Sequence, residues 1–200
     1  MKRHTVLFAI ALAGLVAAAA GCADNEPTTP GGAVATTTPA APPAVTPTPP
    51  PQEAEKLTGR GVGPYVVGAA LDALTSSGAL ANAQTSPGCS DWTTADATGP
   101  YSGKVVIVFF QKKISWVVVT SPSLSTVDGA SVGMGFAAVK GIYGMKGDGL
   151  DDGHGGQALG VRETAGSGLL FRETKDGSVG TIEAGTYDTL EFRFVEGEGC

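Results

Sequence analysis

VGMGFAAVKGIYG, residues 132 to 144, decides how the chain is read, because an earlier stretch, VGAALDALTSSG at residues 67 to 78, repeats its layout. Phe136, Val139 and Tyr143 have the i, i+3, i+7 spacing of one helix face. Gly133 permits a sharp turn into the helix, and Gly144 can take the positive-φ conformation that ends one. A shift of 65 residues places Val67-Gly68 on Val132-Gly133, Leu71 on Phe136, Ala73 on Ala138 and Leu74 on Val139. The same shift places Gly103 on Gly168, Val106 on Phe171 and Ile114 on Val179. One offset therefore serves a helix and the hairpin behind it, which is the mark of an internal repeat. The alternative is two unrelated segments of similar length.

The hairpins are explicit. KVVIVFFQ (104–111) and ISWVVVT (114–120) are dense in β-branched and aromatic residues, with a short link at Gln111-Lys112-Lys113. A second hairpin joins Leu169–Glu173 to Val179–Ala184 through Lys175-Asp176-Gly177, where Asp-Gly suits a tight turn. Gln157–Glu163 and Leu190–Val195 read as further strands. The expected fold class is α+β: two tandem related units, residues 57–125 and 126–200, each a short helix packed on an antiparallel hairpin or meander.

Only this part of the chain has a globular composition. Lys2-Arg3-His4 precede an apolar run from Thr5 to Ala20 that ends in the small residues Gly21 and Cys22, the layout of a secretory signal over residues 1–21. The run is short for a spanning helix and a polar segment follows it. Ala19-Ala20-Gly21-Cys22 resembles the lipobox of bacterial lipoproteins, with Ala19 where that family usually has Leu. The resemblance implies an exported protein whose Cys22 becomes residue one and carries lipid. Two acyl chains hold a protein on a membrane where one does so only marginally. The alternative is an ordinary secretory signal that leaves Cys22 a free thiol.

Residues 22–56 then read as the lipidated cysteine and a tether. TTTPAAPPAVTPTPPP (36–51) is too poor in apolar surface to offset its ordering entropy. About thirty such residues in polyproline II reach on the order of 90 Å.

If Cys22 carries lipid, Cys89 and Cys200 remain, and two cysteines in an exported protein read as one disulfide. Closing a loop of about a hundred residues contributes roughly 4 to 5 kcal/mol by loop entropy. The net charge is −6, and loss of Lys2 and Arg3 with the signal makes it about −8. That balance disfavours nucleic acid and anionic headgroups as partners.

Val132, Gly133, Met134, Val139 and Gly144 together resemble the helix opening of the secreted β-lactamase inhibitor proteins of actinomycetes, and of the small outer-membrane-assembly lipoproteins of related architecture. Those families usually follow the Met with a capping Thr or Ser; Gly135 and the corresponding Ala70 stand there instead. The resemblance implies a short helix pair against an antiparallel sheet and a binding role. No contact residue of the inhibitors can be matched to this chain.

The usual catalytic sets are hard to assemble. The mature chain has a single histidine, His154, in the glycine-rich GDGLDDGHGGQ (147–157), where a solvated loop histidine is the plain reading. Asp148, Asp151, Asp152 and Gly153 suggest a calcium loop, but Leu150 falls at the third ligand position and Leu159 at the twelfth. GRGVGP and GGQALG lack the lysine of a phosphate loop. Glu183 with Asp188 and Glu196 with Glu198 read as solvated surface. The expectation is a non-catalytic lipoprotein with no cofactor and no metal, whose partner is a protein or small molecule beyond the membrane that anchors it. An envelope assembly factor and a hydrolase of unrecognised type are the alternatives.

Aromatic residues mark the candidate site. Trp92, Tyr101, Phe110 and Trp116 lie in or before the first hairpin, and strand alternation puts Phe109 and Phe110 on opposite faces. An open sheet face bearing Phe110 and Trp116 would anchor a partner. Which parity faces outward is left open at this point.

Overall fold

The computed structural model of the protein describes residues 56–197. The signal, the lipobox, Cys22, most of the tether and Cys200 lie outside them. A two-stranded hairpin, β1 (Gly61–Val62) and β2 (Tyr65–Val66), precedes helix α1 (Leu71–Ser76). Four strands follow: β3 (Leu80–Ser86), β4 (Cys89–Ala97), β5 (Val105–Phe110) and β6 (Lys113–Val119). Helix α2 (Phe136–Tyr143) then leads into β7 (Gly147–Asp151), β8 (Gln157–Arg162), β9 (Ser167–Glu173) and β10 (Val179–Thr186), and the described residues end with helix α3 (Tyr187–Glu196).

Strands β3 to β10 make one antiparallel sheet in the order β3-β4-β5-β6-β10-β9-β8-β7. Two four-stranded meanders thus meet along β6 and β10, with Val119 opposite Ile182, Val118 opposite Glu183 and Trp116 opposite Gly185. The fold is α+β, with a large antiparallel sheet and few helices, as expected.

Each of α1 and α2 is tied to a hairpin of this sheet. Gly68 N–H donates to Ile114 O at 2.8 Å, Ile114 N–H to Ala69 O at 2.9 Å and Leu71 N–H to Lys112 O at 2.8 Å. Gly133 N–H donates to Val179 O, Val179 N–H to Met134 O and Phe136 N–H to Gly177 O, each at 2.8 Å. Gly68 and Gly133 both have positive φ, 86° and 84°, the conformation that lets the backbone turn into the helix. Neither helix has a side-chain cap at its N-terminus, in keeping with Ala70 and Gly135 at those positions. Gly144 at the end of α2 has φ 51°.

The sheet separates two apolar clusters. On one face α1, α2 and the β1–β2 hairpin cover Ile107, Phe109, Ile114, Val117, Val119, Phe171 and Ile182, and the predicted stripe Phe136, Val139 and Tyr143 is buried there. Thr126 is buried on this side, accepting from Tyr143 Oη at 2.9 Å and from Ala130 N–H at 3.0 Å. On the other face α3 packs against β7 to β10 and buries Leu190 and Phe194 with Ala158 and Leu170.

The helix α3 corrects an expectation. Leu190–Val195 reads as a strand because Leu190, Phe192 and Phe194 alternate with polar residues. The buried residues are instead Tyr187, Leu190 and Phe194, at i, i+3 and i+7, while Phe192 is 64% exposed. Glycines on the strands let this helix lie close. A Cβ at Gly168 would stand 2.6 Å from Tyr187 Cδ2, and one at Gly160 2.4 Å from Tyr187 Oη.

Candidate aromatic cleft

Helix α3 lies mainly over β7 to β10. It reaches the first hairpin at Val108 and Trp116, which cluster with Leu190 and Phe194 and are buried, Trp116 to 6% exposure. The expected open face therefore holds Phe110 but not Trp116. The chain after β6 passes to the opposite face, where Leu124 and Ala130 join the other core. A cleft of about 930 Å³ results, floored by β4, β5 and β6 and walled by α3. That volume falls within the range of small-molecule sites.

Alternation on the first hairpin settles the parity question. Phe109 is fully buried under the helices, whereas Phe110 is 39% exposed and lines the cleft. A register shift between Val108 and Phe109 leaves Ser115 as an extra residue on β6, so Ile114 and Val117 face the helix core while Trp116 faces the cleft. The shift is a β-bulge, which re-aims side chains at a sheet surface. Gln111 and Lys112, with φ of 49° and 62°, make the two-residue turn that closes the hairpin.

Of the four predicted site aromatics the structure gathers three. Trp92 lies 4.7 Å from Phe110 and 5.2 Å from Trp116, centroid to centroid. Tyr101 does not belong with them. It is buried in the opposite core, edge-on to Tyr65 at 5.5 Å, in the Gly99–Tyr101 turn that links β4 to β5. Phe192 of α3 completes the aromatic lining.

An ionic cluster lies beside the rings, and sequence reasoning missed it. Glu183, read as surface, is 4% exposed. Arg193 Nη1 donates to its Oε2 at 3.0 Å, and Arg172 Nε lies 2.6 Å from its Oε1. The second contact is an ion pair rather than an aligned hydrogen bond. The Arg193 guanidinium also stacks on Trp116 at 3.5 Å, and that of Arg172 stands 5.3 Å from the Phe194 ring. A buried carboxylate with two guanidiniums satisfies the rule that buried charges are paired. The available signal was the centre-strand position of Glu183 with Arg193 ten residues on.

Cys89 stands at the cleft rim and is disulfide-bonded. Gly197, which is three residues before Cys200, lines the same cleft.

The glycine-rich loop behaves as a turn. Asp152 accepts from the N–H groups of His154 and Gly156, both at 2.8 Å, and these backbone bonds hold its carboxyl below the ordinary range. Asp151 accepts from Gly153 N–H at 2.7 Å, and His154 is exposed. Asp148 instead faces Tyr187 Oη at 3.4 Å. Among the described residues no cluster of three or more His, Cys, Asp or Glu is placed to hold a metal, and no helix is long and apolar enough to cross a membrane.

No protein-family model matches the chain, and no curated protein does. Among solved structures, the crystal structure of the uncharacterized protein yfeY from Escherichia coli is similar over 64% of this chain and 98% of that chain, with 15% identity and a TM-score of 0.44. At that distance the likeness carries no inference.

Proposed function

We propose that the protein is a non-catalytic binding lipoprotein of the bacterial cell envelope, held to the membrane through Cys22, and that its ligand or partner enters the aromatic cleft. The observation that carries this reading is the cleft itself. Trp92, Phe110 and Phe192 are partly exposed around one concavity on a rigid sheet, and aromatic side chains dominate binding hot spots. Large apolar groups left together at a surface mark interaction sites.

The proposal includes the tandem origin of the fold. Three helix-to-hairpin hydrogen bonds recur at the 65-residue offset, as does the positive φ of Gly68 and Gly133. On this reading Pro122–Ser131 corresponds to the residues that form α3, and its departure to the other face leaves the first unit's sheet without a helix of its own there. It also includes a Cys89–Cys200 disulfide, supported by the bonded state of Cys89 and by Gly197 beside it on the cleft lining.

Trp92 and Trp116 are the only tryptophans of the chain, and both line the cleft, so intrinsic fluorescence reports on this site alone. Envelope extracts passed over the immobilised protein should yield a partner or ligand that perturbs this fluorescence, and Phe110→Ala with Phe192→Ala should abolish its capture. Capture that survives both substitutions would place binding elsewhere. The anchor is tested separately. Cys22→Ala should abolish palmitate labelling and release the protein from membranes, and unchanged retention would refute lipidation there.

A further inference from the structure

Among the described residues that line the cleft, no charge is left uncommitted. Glu183 is buried, and both its carboxylate oxygens face arginine. Arg172 and Arg193 are themselves engaged, by that carboxylate, by the rings of Phe194 and Trp116 and by further contacts. A charged ligand entering here would lose its hydration and meet no unpaired counter-charge, and that cost selects an uncharged one.

Neutral polar groups, by contrast, are left over. Ser86, Thr94, Thr181 and Thr189 line the cleft, and none of their hydroxyls hydrogen bonds to another described residue. The indole N–H groups of Trp92 and Trp116 have no hydrogen-bond partner among the described residues either. Trp116 is 6% exposed, yet its N–H is not sealed from solvent, so it opens onto the concavity that the ring lines. These groups flank the aromatic floor. Trp92 and Phe110 are cross-strand partners with their rings 4.7 Å apart, and Thr94 lies beside them on β4, opposite Val108. Thr181 lies on the far side, on β10 beyond β6, and Thr189 lies above it on α3.

Resting on the binding reading above, we infer that the cleft takes an uncharged carbohydrate chain, its pyranose faces against Trp92, Phe110 and Phe192 and its hydroxyls on Thr94, Thr181 and the indole N–H of Trp116. A pyranose ring carries C–H groups on its faces, which suit the negative face of an aromatic ring, and hydroxyls around its rim. Each rim hydroxyl both donates and accepts, so it matches a threonine hydroxyl or an indole N–H equally. An aliphatic ligand would strip water from those groups and leave them unpaired. A peptide carries its amides along one backbone line, whereas the cleft's hydroxyls stand on both sides of the rings.

The purified full chain is titrated with cellohexaose, chitohexaose and maltohexaose, with hexagalacturonate as a carboxylated counterpart, with an octyl ether of ethylene glycol below its micelle-forming concentration, and with decaproline; tryptophan fluorescence is followed. At least one neutral hexasaccharide should give a saturable change at an affinity about tenfold above the other three probes, the scale of one or two hydrogen bonds. The double variant Thr94→Val with Thr181→Val keeps β-branched side chains on both strands and removes the hydroxyls. It should weaken that sugar about tenfold and leave the octyl ether unchanged. Phe192→Ala, at a position 64% exposed and so able to spare the fold, should weaken the sugar as well. Equal affinities for sugar and octyl ether, or for sugar and hexagalacturonate, would overturn the inference and leave cleft binding standing, and so would indifference of the sugar to the double variant. Tighter binding of decaproline than of any sugar would overturn it in favour of a peptide site. If no probe binds, the inference fails, and the partner-capture experiment decides the binding reading by itself.

Discussion

Replacing Glu183 with Gln keeps the shape of the side chain and removes its charge, so it isolates the ionic cluster beside the cleft. The side chain of Arg193 is only 10% exposed, and in the variant its guanidinium would stay buried after losing the charged carboxylate that faces it at 3.0 Å. Breaking a buried pair from one side costs about 3 to 5 kcal/mol. The Arg172 side chain is 34% exposed, and water screens it, so its share falls toward the roughly 0 to 1 kcal/mol of surface pairs. Arg193 keeps its stack on Trp116 at 3.5 Å, which retains about 1 to 2 kcal/mol of cation–π attraction in either variant or parent and holds the guanidinium in place. The net loss should therefore sit near the low end, about 3 kcal/mol.

For a domain of this size each kcal/mol moves Tm by about 2 to 4 °C, so a fall of roughly 6 to 12 °C is expected. Urea unfolding followed by tryptophan fluorescence measures the free energy directly, because Trp116 lies under the Arg193 guanidinium. The double variant Glu183→Gln with Arg193→Met removes the buried guanidinium as well and should be more stable than Glu183→Gln alone, since a buried pair replaced on both sides is often near neutral. A loss under about 1 kcal/mol in the single variant, or a double variant no better than the single, would refute the assignment of Glu183 as the counter-ion that holds α3 to the sheet.

Gly168→Ala should destabilise by about 1 to 3 kcal/mol, because its Cβ would stand 2.6 Å from Tyr187 Cδ2 and 2.7 Å from the carbonyl oxygen of Val161, and overpacking forces such neighbours apart. Gly149→Ala, with open space around its Cβ position, is the control, and equal unfolding temperatures for the two would contradict the seating of α3. High pH gives another test. Burial pushes the hydroxyls of Tyr143 and Tyr187 up to about 12, from an ordinary value of 10.0. The folded state then holds these protons more tightly than the unfolded chain, so their contribution is complete below pH 10 and is lost as pH rises from 10 to about 12. Phenolate absorbance and urea midpoints measured together should show stability falling across that window, with a smaller fall in Tyr143→Phe; a flat profile would refute the burial of these groups.

Much of the fold was legible because the apolar period was clean. KVVIVFFQ and ISWVVVT could only be strands, and Phe136, Val139 and Tyr143 could only be one helix face. The failures have separate causes. Strands β3, β4 and β7 carry little apolar signal: LANAQTS and GDGLD lie at the two sheet edges, half solvated, and are held by backbone pairing to β4 and β8. Helix α3 was misread because LEFRFV satisfies period two as well as 3.6, and only docking against Gly160 and Gly168 decides between them. Two of the cleft's aromatic residues, Phe110 and Trp116, were legible as a pair, yet the bulge at Ser115 that puts them on one face was not. Glu183 looked like surface because its partners, Arg172 and Arg193, are distant in sequence or on another element.

The asymmetry of the sheet links these points to function. Both faces of an eight-stranded antiparallel sheet bearing this much aliphatic surface need cover, and the helix side receives it from α1, α2 and the β1–β2 hairpin. On the other side α3 covers β7 to β10 and reaches Trp116, while Trp92 and Phe110 stay partly exposed at a concave surface beyond it. A chain selected for stability alone would gain by replacing Phe110, 39% exposed, with a polar strand former such as Thr, since an exposed aromatic adds little burial and invites association. Phe110→Thr should accordingly leave stability within about 0.5 kcal/mol, the ordinary range for surface substitutions, while abolishing capture of whatever occupies the cleft. If the substitution instead unfolds the domain, the ring is core and the cleft is a packing defect; if it changes neither stability nor capture, the site of binding is not here.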